Sequence, residues 1–256
     1  MIETAIEAAQ EAGKLLRRNF GTALTVNEAI HHDIKLEIDE QAQQLITRVI
    51  LAEYADHCIL GEEGTTGNPQ AEVRWVVDPL DGTVNYFYNI PHYAVSIAAQ
   101  QRVGPDQWQT VAGVVFDPEL DELFAASGNE AATLNDRPIS VSHRTALGEA
   151  VVVMGFFKNQ ETIRQGLVDF QHLIARARKM RLTGSAALDV VYVACGRFDA
   201  YIEYGIRLWD IAAGQLILKN AGGAADVRPR PEPNGFDARM WNGKLSPAEL
   251  TAGGRL

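Results

Sequence analysis

The chain has 256 residues, enough for one large domain or two small ones with a sizeable core. Its 46% hydrophobic and 22% charged content are those of a soluble globular protein, and 23 Lys+Arg against 33 Asp+Glu give −10, which argues against a nucleic-acid polymer as partner. Two cysteines, Cys58 and Cys195, both in apolar runs, are too few for a disulfide scaffold and read as buried thiols.

Ile2, Ile6, Ala9, Gly13, Leu16 and Phe20 recur at helical spacing and predict an amphipathic helix ending near Gly21. His31-His32 falls in a polar stretch that follows. Asp39 reads as the N-cap of a second helix through Tyr54, with Leu45, Ile46, Val49 and Ile50 inward. Cys58 to Leu60 is a short strand leading into Gly61-Glu62-Glu63-Gly64, and Thr65 to Gln70 is a loop. Arg74 to Val77, Ala94 to Gln100, Val111 to Phe116 and Leu123 to Ala126 are strands, with turns at Val103–Asp106, Asp117-Pro118 and Asn135-Asp136. Beyond residue 140 the pattern becomes strand (Ala150 to Phe156), helix (Thr162 to Arg178, with Ile163, Leu167, Phe170 and Ile174 inward), strand (Lys179 to Leu182) and helix (Ser185 to Cys195). A strand (Phe198 to Glu203) and a helix (Trp209 to Asn220) closed by Gly222-Gly223 complete it. Ser246-Pro-Ala-Glu249 has capping-box spacing, but so little chain follows that any last helix is brief. The expected organisation is an N-terminal α+β half, 1–140, and a C-terminal α/β half, 141–256, forming one unit. The N-terminus lacks the basic start and apolar core of a signal peptide, and no run reaches the ~18 apolar residues of a membrane span, so no membrane association and a cytoplasmic location are expected.

The densest chemistry lies in Trp75-Val-Val-Asp78-Pro79-Leu80-Asp81-Gly82-Thr83. Two carboxylates sit three residues apart at the exit of an apolar strand, with a proline stiffening the turn between them. Hard divalent cations prefer carboxylate and carbonyl oxygens, so Asp78, Asp81 and the Leu80 carbonyl form a candidate ligand set. Gly82 permits close backbone approach, and Thr83, opening a helix, would aim its N–H at an anion. The alternative is a plain strand–turn–helix junction with an Asp cap. Glu62-Glu63 would be merely solvated alone, but beside a metal one of them becomes a ligand that orients water. Asp210, at a helix start, is sufficiently explained as an N-cap, and its place after Tyr201-Ile-Glu203 keeps a ligand role open. The scattered histidines and absent Cys/His spacing leave zinc unindicated.

These segments together resemble the inositol monophosphatase family, within the lithium-sensitive, magnesium-dependent phosphatases. The resemblance is carried by Gly61-Glu-Glu63, by Trp75 to Thr83 with Asn85, and by Trp209-Asp210-Ile-Ala-Ala-Gly214 leading to Ala221-Gly-Gly223. Gly184-Ser185-Ala-Ala187 and Phe198-Asp-Ala-Tyr201 also fall in family order. It implies a layered αβαβα fold, an antiparallel N-terminal sheet followed by a C-terminal α/β sheet, and a homodimer. It also implies two or three Mg²⁺ ions held by Glu62, Asp78, the Leu80 carbonyl, Asp81 and Asp210, with Asp39 near a weaker third ion. Glu62 and Thr83 are implied to hold and activate the attacking water, with Asp81 in the catalytic set. Gly82 and Thr83 amides would take the phosphate, and Gly184, Ser185, Glu203 and Asp210 the alcohol part of the substrate. The family usually has a Thr-containing stretch before Asp39; here Asp33 to Asp39 differs, and Lys35 stands in for a basic residue whose place falls near Glu28. The implied activity is hydrolysis of a small phosphate monoester, inositol monophosphate first. Fructose 1,6-bisphosphate, histidinol phosphate and adenosine 3′,5′-bisphosphate are alternatives, as is a non-catalytic binding or regulatory protein.

Overall fold

A computed structural model describes residues 1–30, 33–156 and 159–252, the side chains of 28–30 and 33 excepted. His31-His32 and Gly253-Gly254 therefore lie outside the described residues, as does the side chain of Glu28.

In chain order, the first helix α1 (Ile2–Asn19) precedes a hairpin of β1 (Val26–Ile30) and β2 (Asp33–Leu36), then α2 (Glu37–Glu53). Strands β3 (Cys58–Gly61), β4 (Gly64–Gly67) and β5 (Val73–Asp81) follow, and the short helix α3 (Thr83–Phe87) starts directly after Gly82. The long strands β6 (Ala94–Gly104), β7 (Gln107–Asp117) and β8 (Glu122–Ser127) and the small pair β9 (Thr133–Leu134) and β10 (Arg137–Pro138) complete an eight-stranded sheet. Its order is β10-β9-β8-β7-β6-β5-β3-β4, antiparallel except for β3 against β5. The second half contributes β11 (Val151–Met154), α4 (Gln160–Ile174), β12 (Lys179–Arg181), α5 (Ala186–Ala194), β13 (Ala200–Arg207), α6 (Leu208–Asn220), β14 (Ala224–Pro229) and β15 (Gly235–Trp241). These strands form a five-stranded sheet, β12-β11-β13-β15-β14, parallel across its first three members.

Helices α1 and α2 cover one face of the large sheet, α5 and α6 lie between the two sheets, and α4 covers the far face of the small one. This is the expected αβαβα stack. Alternation decides which residues face which layer. Trp75 and Val77 join Ala5, Ala9, Ile46 and Ile50 beneath the first helices, whereas Val76 joins Val190, Ile211 and Ile217 between the sheets. That middle core also holds Tyr201 and Met240 from the small sheet, so both halves of the chain share it.

Several local expectations are corrected. Asp39 is the third residue of α2, not its N-cap: its Oδ2 reaches back to accept the Leu36 N–H at 2.8 Å. Asp210 does the same on α6, accepting from Arg207 N at 2.9 Å. An acid at that position satisfies an otherwise orphaned amide as well as a cap does. The stretch Thr65 to Gln70 is partly strand, because β4 pairs antiparallel with β3. On α4, Leu167 and Ile174 are exposed; the buried face carries Thr162, Gly166, Asp169 and Leu173. Asp169 turns inward because Tyr204 Oη and the Ala252 amide both donate to it. Cys58 is buried as expected, but Cys195 is only half-buried. The hairpin β1–β2 and the strands β14 and β15 are not among the expected elements, although Phe236, Ala238 and Met240 alternate with Asp237 and Arg239; antiparallel pairing makes them strands. The Asn135-Asp136 turn is borne out, both residues having positive φ, 48° and 62°, as a two-residue hairpin turn requires. Gly222, at φ 90°, closes α6 in the left-handed conformation expected there, and Ser246–Glu249 shrinks to one 3₁₀ turn at Pro247–Glu249.

Candidate metal and phosphate site

Strand β5 and helix α6 bring Asp78, Asp81 and Asp210 together, each offering a carboxylate oxygen within 4.8 Å of the others. Asp78 and Asp81 are buried, and Asp210 keeps partial exposure. The register of β5 against β6 shifts between Asp78 and Asp81, so the strand bends and both acids face the same place. Asp78 Oδ1 accepts the Leu80 amide at 3.0 Å across the proline turn. Asp81 is fixed from the other half of the chain: Ser185 Oγ donates to Oδ2, Ala187 N donates to Oδ2 at 2.8 Å, and Ala186 N to Oδ1 at 3.3 Å.

Burial first, then the like charges of Glu62 and neighbouring aspartates, pushes the Asp78 carboxyl well above the ordinary carboxylate range. Asp210 is raised by burial, then Asp81 and Glu62. Asp81 rises to about 6 through burial, although the hydrogen bonds from Ser185, Ala187 and Ala186 oppose the rise. Three acids so placed resist ionising together unless a cation is among them. A divalent cation fits this all-oxygen donor set. Asp39, buried nearby, adds an observation in the same sense. Its Oδ1 has no hydrogen-bond partner, and burial, with Glu63 and Glu62, lifts its carboxyl to about 8.

Glu62 stands outside the three-aspartate cluster but acts on its charge. Its amide donates to Val77 O at 3.0 Å, tying the loop to β5 beside Asp78. Gln43 of α2, unremarked in the sequence, holds this loop by accepting from Glu63 N at 2.9 Å and donating to Gly64 O at 3.2 Å. A Cβ on Gly61 would lie 2.1 Å from Gln43 Oε1, so a larger residue there would push the Gln43 amide off the loop it holds. Lys35 pairs with Glu63 at 3.1 Å. Thr83 Oγ1 donates to the Leu80 carbonyl at 3.0 Å. Gly82, at φ 95°, packs against the backbone of His92 and Gly184, which places β5, α3 and the start of α5 within contact of one another. Asn85 Nδ2 fastens that junction, donating to His92 O at 2.8 Å and Thr183 O at 2.9 Å.

Glu203 lies near enough to Asp81 to feel its charge and accepts from Tyr201 Oη at 2.8 Å. Burial, opposed by that hydrogen bond, lifts it to about 7. Gly155 makes room for it: a Cβ there would stand 1.7 Å from Glu203 Oε2. Asp189 was also missed in the sequence. It is buried, receives Thr183 Oγ1 at 2.6 Å, and is raised well above the carboxylate range by burial and then by Asp81 and Glu203. Its signal was present, as the one charged residue between Gly184 and Gly196.

Fold and site together define a layered α/β protein built around a largely buried acidic centre whose donor set could hold a cation. The model of the inositol monophosphatase family matches residues 1–246, and the chain belongs to that family, a family of phosphatases. It is 40% identical over 226 residues to the Nus factor SuhB of Xylella fastidiosa, covering 87% of this chain and 80% of that protein. It is 36% identical over 228 residues to an inositol-1-monophosphatase of Rhizobium meliloti, covering 87% and 84%. The solved extragenic suppressor protein suhB from Bartonella henselae superposes with a TM-score of 0.86 at 31% identity, covering 94% of this chain and 93% of that one. No described helix is long and apolar enough to cross a membrane.

Proposed function

We propose that this chain is a Mg²⁺-dependent phosphomonoesterase acting on a small polyol phosphate, inositol monophosphate first. The observation that carries the reading is the meeting of Asp78, Asp81 and Asp210, three carboxylates from two distant segments whose mutual repulsion a bound cation would relieve. Glu62, the Leu80 carbonyl and these aspartates would hold two ions, with Asp39 beside a third. Bound there, the cations supply charge neutralisation for the phosphate and acidify water for in-line attack.

The residues of the chain then have distinct tasks. Thr83, having given its hydrogen to Leu80 O, keeps lone pairs that accept from the attacking water, and Glu62 takes up its proton. Gly82 and Thr83 amides meet the phosphate oxygens. As the water oxygen bonds to phosphorus, the bond to the alcohol oxygen breaks; the leaving oxygen takes a proton from solvent water, and Glu62 returns its own proton to solvent. Ser185 and the Ala187 amide hold Asp81 in one orientation throughout. Glu203 and the Gly184-Ser185 turn face the hydroxyl-bearing part of the substrate, and a buried carboxylate suits ring hydroxyls as an acceptor. Residues 1–140 supply most of the ligands and 141–256 supply Asp210 and the alcohol side; a homodimer, a cytoplasmic location and lithium sensitivity belong to the same proposal.

The name Nus factor, carried by several relatives, favours a second reading: a binding or regulatory protein that holds metal and phosphate without turnover. Phosphate release from inositol monophosphate, histidinol phosphate, fructose 1,6-bisphosphate and adenosine 3′,5′-bisphosphate, with and without Mg²⁺ and Li⁺, separates the two. Asp81→Asn should lower turnover at least about 100-fold with the fold intact by circular dichroism. Unchanged turnover in that variant defeats the site assignment, and magnesium binding without release from any substrate establishes the second reading.

A further inference from the structure

A cavity of about 620 Å³ lies away from the aspartate cluster, between the β6–β7 hairpin and the C-terminal half. Along most of this interlayer the large sheet meets α6 through apolar side chains such as Val76, Ala98, Ile211 and Ile217. At the near end of β5 the same face changes character. Arg74, Gln100 and Thr110 occupy successive strands in register and are joined by hydrogen bonds, Arg74 Nε to Gln100 Oε1 at 2.8 Å and Gln100 Nε2 to Thr110 Oγ1 at 3.1 Å. Opposite them α6 presents Gln215 and Lys219, the small sheet presents Phe236, and the β14–β15 connection presents Arg230. Layered folds close such a gap with apolar side chains. Here it is open, and polar groups share the lining with apolar ones such as Trp108, Leu216 and Phe236.

The cations of the cavity are not equivalent. Arg230 is paired with Asp237 at 2.8 Å, Glu161 at 3.3 Å and Glu232 at 3.4 Å. Arg74 has no carboxylate partner among the described residues. Its one hydrogen bond uses Nε, and its guanidinium stacks on Trp108 at 4.3 Å, with Arg102 on the same indole at 4.5 Å. Both terminal nitrogens of Arg74 are thus without an acceptor there. Burial, and to a smaller degree Arg102, draws its guanidinium down to about 10, the mark of a cation lacking a counter-charge. Lys219, on the rim, has no ion-pair partner among the described residues either. Its place in the last turn of α6 accounts for a positive charge but not for its facing this space. The acids on the lining, Asp106 and Glu232, sit at its edge in the β6–β7 turn and beside Arg230.

We infer that this cavity is a second ligand site, accepting the oxyanion group of a small phosphate or carboxylate metabolite through Arg74 and Lys219, with Gln100 fixing the arginine. Planar guanidinium and an oxyanion match in a forked hydrogen bond, and the partly dry setting strengthens it. The site stands whether or not the aspartate cluster hydrolyses phosphate esters.

Calorimetric titration of the full chain with inorganic phosphate, and separately with succinate, tests it. Divalent metal is omitted so that the acidic cluster repels both anions, and the titrations are repeated in Asp81→Asn. Saturable binding should occur in the wild type and persist in Asp81→Asn. It should weaken roughly tenfold or more in Arg74→Gln and in the milder surface variant Lys219→Gln. Binding of phosphate alone assigns a phosphate ligand, of succinate alone a carboxylate, and of both a general oxyanion seat. Absence of saturable binding of either anion, or unchanged affinity in either folded variant, overturns the inference. Should Arg74→Gln fail to fold, Lys219→Gln decides.

Discussion

Glu203→Gln offers the sharpest test of the electrostatics of the site. Glu203 is 9% exposed, and its carboxyl is lifted from 4.5 to about 7 by burial, with the Tyr201 hydroxyl opposing and the Asp81 charge adding to the rise. A folded-state value above the unfolded one means that folding takes up a proton. The stabilisation from the protonated acid is therefore complete below about pH 4.5 and is lost as pH rises through about 7. A rise of that size corresponds to about 3 kcal/mol, of which about 2 kcal/mol falls between roughly pH 5.5 and pH 8. Glutamine keeps the shape and, with its amide oxygen toward Tyr201 Oη, keeps the hydrogen bond, but it has no proton to lose. In metal-free buffer the wild type should thus lose about 2 kcal/mol more than Glu203→Gln across that interval, a difference of several degrees in Tm for a chain of this size. Urea unfolding of both proteins at the two pH values measures it. Parallel stability–pH lines would refute the argument, because they would mean that Glu203 ionises in the folded protein as easily as in the unfolded one. Under the proposed function the same variant should raise KM for inositol monophosphate more than it lowers kcat, since it weakens an acceptor for ring hydroxyls.

Ser185→Ala removes the hydroxyl that donates to Asp81 while leaving both α5 amides in place. Magnesium affinity, measured by calorimetry, should fall about tenfold with a stability loss near 1 kcal/mol; unchanged affinity would show that the two amides suffice to orient the carboxylate. Gly155→Ala puts a methyl 1.7 Å from Glu203 Oε2. Displacement of that carboxylate should cost about 1–3 kcal/mol, seen as a lower urea midpoint, and should shift substrate KM with little change in metal affinity. A variant as stable as the wild type would mean that Glu203 swings aside freely.

The sequence by itself determined the elements with strong local periodicity and the acids with strong local chemistry. The apolar spacing from Ile2 to Phe20 gives α1, and the run Trp75 to Thr83 places two carboxylates on a stiff turn at a strand exit. The Asn135-Asp136 pair could only be a tight turn. The order of strands and helices carried an antiparallel first half and a layered α/β second half, and the family resemblance supplied the αβαβα stack and joined Asp210 to the motif. What the sequence left undetermined depends on partners distant in the chain. Strands β14 and β15 carry only a short alternation, and they are completed by antiparallel pairing of β15 with β13 and of β14 with β15. Helix α4 turned Leu167 outward because Tyr204 and the Ala252 amide draw Asp169 inward. Asp39 and Asp210 both read as caps, and only packing showed them capping from within the first turn and set among other acids. Gln43 and Gly155 look ordinary in one dimension, since each acquires its part from a contact at least 20 residues away. Local sequence specifies which groups are available; the free energy of burying them together, which tertiary structure alone sets, decides which of them act as one site.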